Sequence, residues 1–160
     1  MKVLAIAALI ITIAGAGAVL YGINTLEPVV EQTSVQITPA AQAQDIFDGV
    51  LAQVSSGTFT GRMFAQPGVL ASTDCAFVTY TVRLANKGFF PAEWVSLNVQ
   101  PAEGDVLQLD NVQANVLASG SRGDISATVL HVGDASHTQR NYIVECYVFG
   151  RKITLKGTVQ

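Results

Sequence analysis

The chain passes through three regimes of hydrophobic patterning. Residues 3–23 show no period: every position is apolar or small except Thr12 and Tyr21, and none is charged. At about 1.5 Å per residue that run extends roughly 31 Å as a helix, the thickness of a hydrocarbon core of about 30 Å. Residues 24–32, with Glu27, Pro28 and Glu31, carry no helical period and read as a linker, and residues 33–38 alternate as a short strand. Next, Ala43, Ile46, Phe47, Val50, Leu51 and Val54 fall on one face at helical spacing. Thr38 is placed to cap this segment, Pro39 suits a first helical position and Gly57 is placed to end it. The spacing predicts an amphipathic helix over 38–56, weakened by about 1 kcal/mol at Gly49. It carries no Lys or Arg, so packing on its own sheet is favoured over lying on anionic headgroups.

Beyond Gly57 the period becomes two. The clearest strand is 75–85, where Ala76, Val78, Tyr80, Val82 and Leu84 alternate with Thr79, Thr81 and Arg83. Further strands are predicted at 58–64, through Val95, Leu97 and Val99, at 106–109, 112–117 and 124–132, and as a closing hairpin of 141–149 and 152–159 about Gly150 and Arg151. Short strands with no helices between them argue for an antiparallel sandwich. The expected fold is mainly β: a sandwich domain over 57–160 with one packed helix at 38–56, joined through 25–37 to an N-terminal transmembrane helix at 1–24.

Composition sharpens the N-terminal reading. The apolar content of 49% and mean hydropathy of +0.38 over 160 residues owe much to the first run. Small-x-small triplets at 14–16 and 16–18 would suit signal cleavage, yet the apolar run continues through Val19, Leu20 and Ile23, which favours a retained anchor. Lys2 lies at one end, and no Lys or Arg follows until Arg62, so the C-terminal domain is expected outside a cell membrane crossed once. The bilayer is then the partner of residues 3–23. Ala14, Ala18 and Gly22 form a row of small residues that would let a second membrane helix approach. In an exported domain Cys75 and Cys146 can form a disulfide. Parity opposes it: if Val78 and Tyr80 face inward Cys75 faces outward, while Cys146 faces inward, so a bridge requires a bulge or an early strand end. With a net charge of −3 and scattered basic residues, no stripe for nucleic acid exists.

The order Cys75, Trp94, Cys146 resembles that of immunoglobulin-like domains, and Leu117-Ala118-Ser119-Gly120 with Asn86-Lys87-Gly88 is similar to fibronectin-III-like modules of bacterial cell surfaces. The resemblance covers 58–160 in pattern and implies a bridge between sheets packed on the tryptophan, with a role in adhesion, assembly or ligand display. Trp94 stands later after the first cysteine than in that family, and Val144 replaces the tyrosine expected two before the second.

Chemistry-bearing residues are sparse. His131, Asp134 and His137 are types that bind zinc at suggestive spacing, but no fourth ligand is near, so a solvated turn is the favoured reading. Arg122-Gly123-Asp124 is the tripeptide of integrin ligands, placed by pattern at a hairpin tip where turn chemistry alone accounts for it. No nucleophile elbow, zinc-protease helix, phosphate loop or dinucleotide fingerprint occurs. The expected function is therefore a membrane-anchored extracytoplasmic module, non-enzymatic and without cofactor, that binds or assembles with another membrane or surface protein. The alternatives are an accessory subunit of a membrane complex and a hydrolase or metal enzyme built on His131, Asp134 and His137.

Overall fold

The computed structural model of the chain describes residues 2–25, 28–109, 116–135 and 139–159. Helix α1 (Lys2–Thr25) forms over the apolar run, which contains no proline to break it. The membrane reading is corrected here. Among the described residues no helix is long and apolar enough to cross a membrane. The side chains described along α1, those of residues 10–21, are all exposed. The transmembrane anchor, its bilayer partner, the single-pass cell-membrane localisation, the extracytoplasmic placement and the functions built on them are withdrawn. Of the small-residue row, Ala14 and Ala18 are exposed; the surroundings of Gly22 lie outside the described residues.

After α1 come β1 (Val29–Pro39), helix α2 (Gln44–Ser56), β2 (Arg62–Met63), β3 (Cys75–Ala85), β4 (Ala92–Val99), β5 (Asp105–Gln108), β6 (Val116–Leu117), β7 (Arg122–Val132), β8 (Arg140–Val148) and β9 (Arg151–Val159). They form two antiparallel sheets, the first in the order β1-β3-β7-β5-β2 and the second in the order β6-β4-β8-β9. The alternation in β3 explains the layering. Val78, Tyr80, Val82 and Leu84 point between the sheets, where they meet Val129, Ala127 and Ile125 of β7 and Leu97, Val99, Val144 and Val148 of the second sheet. Cys75 and Phe77 point the other way, into a second cluster with Leu107, Leu130 and Phe47 and Val50 of α2. Helix, sheet and sheet thus make three layers, and β3 is buried on both faces over residues 75–78. Burying Phe47 and Val50 contributes about 1.5–3 kcal/mol each, enough to hold a helix of this length that would be marginal alone.

Several elements differ from the sequence expectation. Thr38 and Pro39 do not start the helix: they end β1, which begins at Val29, and pair with Phe77 and Ala76 of β3. A 3-10 turn at Ala40–Ala43 intervenes, and α2 begins without a side-chain cap, with Asp45 in its positive first turn. Its end is as expected, Gly57 taking φ 71 with its N–H bonded to the Val54 carbonyl. The strand expected at 58–64 is reduced to Arg62–Met63, and residues 112–115 of the strand expected at 112–117 lie outside the described residues. The structure forms no disulfide between Cys75 and Cys146, and both are buried. They occupy the two different clusters, Cys75 beneath α2 and Cys146 between the sheets, as the parity of their strands dictates. The immunoglobulin-like packing of a tryptophan on that bridge fails with it, because Trp94 is 68% exposed.

Candidate functional site

The position of Trp94 follows from register. In β4 and β8, Ala92 faces Val148 and Glu93 faces Tyr147, but the next pair is Ser96 with Glu145, so Trp94 and Val95 share Cys146 as their opposite number. This is a β-bulge. Val95 takes the inward place, and Trp94 is left outside at φ 53, a left-handed conformation that costs a side-chain-bearing residue about 1–2 kcal/mol. At the same end of the sheet β8 turns into β9 through Phe149 and Gly150, at φ 51 and 76. Positive φ at both central residues is the type I′ pattern, in which Asn-Gly is the ordinary choice. Phe149 is 64% exposed, and its ring lies 4.9 Å from that of Phe90. Phe89, Val116 and Tyr147 extend the exposed set, Val116 and Tyr147 both facing Glu93 in register. Among the described residues, the two non-glycine positions with positive φ are therefore both exposed aromatics at one end of one sheet.

That end is rigid because of Asn86, which is 1% exposed. Its amide donates to the carbonyls of Phe90 at 2.8 Å and Leu117 at 3.0 Å, and its Oδ1 accepts from the N–H of Gly88 at 3.0 Å. Backbone bonds to Ser121 and from Gly120 close the arrangement. The loop bearing Phe89 and Phe90 is thereby tied to the turn before β7. Sequence reasoning missed this role; the signal available was a polar amide directly after the alternating strand 75–85.

At the opposite end, three ionisable side chains join the sheets. Asp105 accepts from Nε and Nη2 of Arg140, both at 3.1 Å, from the N–H of Ala102 at 2.8 Å, and lies 2.9 Å from Nδ1 of His131. Burial alone would raise the Asp105 pKa, but the bonds from Arg140, Ala102 and His131 outweigh it and hold the carboxyl below its ordinary value. With every acceptor position engaged, the carboxylate is a clamp rather than a general base. Nearby, the hydroxyl of Tyr80 is buried with no hydrogen-bond partner among the described residues, and burial pushes its pKa up to about 12.

The zinc set, which the sequence reading set aside in favour of a solvated turn, is not assembled among the described residues. His131 directs Nδ1 to Asp105, Asp134 lines a shallow open cleft with His131, Glu103 and Arg140, and His137 lies outside the described residues. Among the described residues no group of three or more His, Cys, Asp or Glu side chains could hold a metal. The Arg122-Gly123-Asp124 tripeptide is within β7, not at a hairpin tip. Arg122 bonds Glu31 at 2.7 Å, and Asp124 takes a two-pronged bond from Arg83 at 2.7 and 2.8 Å. The bond from Arg83 holds the Asp124 carboxyl below its ordinary value, and the bond from Arg122 does the same for Glu31. Both charges of the tripeptide are engaged in surface ion pairs with neighbouring strands.

No family model matches the chain, and no curated protein is similar to it in sequence. Among solved structures, the chain is similar to that of the yeast GGA1_GAE domain-P21, at 15% identity and a TM-score of 0.41 over 61% of this chain and 96% of that one. It is also similar to the GAE domain of GGA2p from Saccharomyces cerevisiae, at 11% identity and a TM-score of 0.37 over 57% and 94%. Likeness at this level carries no argument about function.

Proposed function

We propose that this chain is a non-enzymatic β-sandwich module that binds a protein partner through the aromatic end of its second sheet, with Trp94, Tyr147 and Phe149 as anchors. One observation carries the reading: the strained non-glycine positions hold large aromatic side chains out in solvent, where their burial offsets nothing within the chain. Strain kept without a local return is a feature of binding sites. Tryptophan and tyrosine are also the residues that dominate protein interfaces, because they bury much area with little entropy loss. The partner is a protein presenting an apolar segment, which would cover Trp94 and Phe149 while Glu93 and the Lys152–Glu145 pair, bonded at 2.7 Å, form the wet rim.

A photo-reactive residue placed at Trp94 or Phe149, in the cells that make the chain, tests this. A discrete protein adduct from both positions is expected, and none from Gln53 on the exposed face of α2. Failure to crosslink at either aromatic position, or equal adducts from Gln53, refutes the site.

A further inference from the structure

The edges of the two sheets are treated unequally. In the first sheet, the edge strand β2 has two residues, and beside it the Val106 carbonyl of β5 is already taken by the N–H groups of Phe64 and Ala65, at 2.8 and 3.1 Å. In the second sheet, β6 has two residues, and beyond it the edge of β4 is covered by the side-chain amide of Gln108, reaching across from β5. Its Nε2 donates to the Leu97 carbonyl at 3.2 Å and its Oε1 accepts from the Val99 N–H at 3.1 Å, the two bonds that a neighbouring strand would make. The fourth edge, β9, carries Arg151, Lys152 and Lys156 and no acidic residue. Short strands, side-chain caps and cations are the devices that stop edges from pairing.

Strand β1 has none of them along residues 32–38. It pairs with β3 alone, its register shift is confined to Val30 and Gln32, and the run TSVQIT that follows contains no charge, no glycine and no internal proline. No backbone bond outside its ladder to β3 reaches it among the described residues. Val35 is half-buried and Ile37 is exposed.

We propose that this edge pairs with the same edge of a second copy, antiparallel about a two-fold axis at Val35, so that the first sheets of two chains become one continuous sheet. The strand is complementary to itself in that arrangement. Val35 meets Val35, Thr33 meets Ile37, Ser34 meets Gln36 and Gln32 meets Thr38, while Glu31, bonded to Arg122, meets Pro39 rather than another charge. Parity is kept as well. Thr33, Val35 and Ile37 register with Val82, Tyr80 and Val78, which line the sandwich core, so their partners extend that core, and Ser34 and Gln36 register with Thr81 and Thr79 on the other face. β-branched pairs and small polar pairs are the favourable cross-strand combinations. Strand β9 lies beside β1 at the seam but belongs to the other sheet, so the pairing leaves it in place.

Light scattering of the full chain during size exclusion, in a mild non-ionic detergent that disperses the exposed helix α1, reads the assembly. A dimer is expected. The double variant Ser34→Lys and Gln36→Lys sets lysine opposite lysine twice and should weaken the dimer at least about tenfold. Ser34→Glu with Gln36→Glu should do the same, and mixing the two variants should restore a heterodimer. Val35→Cys places two thiols at the axis and should give a covalent dimer on mild oxidation, a readout that holds even if a charge variant fails to fold. A monomer at the highest soluble concentration, a dimer indifferent to the lysine pair, charge variants that do not recombine, or open-ended polymers would each overturn the proposal.

Discussion

Arg140→Met should unfold this protein more readily than any surface change. The methionine keeps most of the apolar stem but removes the fork that donates twice to Asp105. The side chains of Asp105 and Arg140 are 1% and 6% exposed, so the carboxylate left behind retains the Ala102 N–H and His131 but loses its compensating charge. Breaking a buried pair from one side costs about 3–5 kcal/mol. In a sandwich of this size that lowers Tm by about 10–20 °C. The acid dependence follows from the sign of the shift. Because Arg140 and its neighbours hold the Asp105 pKa below its ordinary value, the pair contributes fully above the unfolded carboxyl value of about 3.9, and that contribution is lost as pH falls through the folded value. In Arg140→Met, burial raises the Asp105 pKa, so the deficit is greatest at neutral pH and narrows in acid as the carboxyl protonates. Adding Asp105→Leu removes the orphaned charge and should return at least about 2 kcal/mol. Thermal unfolding of the full chain by circular dichroism, from neutral to acid pH, measures all of this. A loss below about 1 kcal/mol in Arg140→Met, or no recovery in the double variant, would refute the clamp.

Three further outcomes are expected. Tyr80→Phe removes a buried hydroxyl that has no partner among the described residues, so denaturant midpoints should be unchanged or rise by up to about 1 kcal/mol, and a clear loss would mean that the hydroxyl is bonded. Trp94→Gly relieves a left-handed residue with little burial to lose, so stability should rise by about 1 kcal/mol while crosslinking from Phe149 is lost; a destabilised variant contradicts the strain argument. Asn86→Ala deletes three bonds in a buried site and should cost about 3 kcal/mol, with faster amide exchange at Gly88, whose N–H loses its acceptor; protection retained at Gly88 would show that the loop is held by something else.

Local periodicity made most of the architecture legible. Strand β3 matches its predicted bounds, because alternation over 75–85 is a property of neighbouring residues. The face of α2, apart from Ile46, which is exposed, and its glycine end were readable for the same reason. The closing hairpin was predicted with its turn one residue late, since Phe149 at positive φ is a choice that turn preferences do not anticipate. Parity along β3 and β8 already set the two cysteines on different faces, and the layers built on those faces are what separate them.

What pattern alone did not reach depends on contacts between distant segments. The exposure of Trp94 is decided by one extra residue in the pairing of β4 with β8, and a bulge leaves no mark in the strand that contains it. Thr38 looked like a helix cap because capping is local, whereas the ladder that claims it comes from β3, nearly forty residues on. Arg122 and Asp124 read as a loop motif until Glu31 and Arg83 arrived from neighbouring strands. Asp105, His131 and Arg140 are scattered polar residues in sequence and one buried cluster in space. Repeats of two and of 3.6 residues made most strands, their apolar faces and the accompanying helix readable in the sequence, but not the start of β1 at Val29 or the shortness of β2. Which polar groups are buried together, which aromatics stay outside and which edge is left open are set by the register between strands, which no single strand encodes.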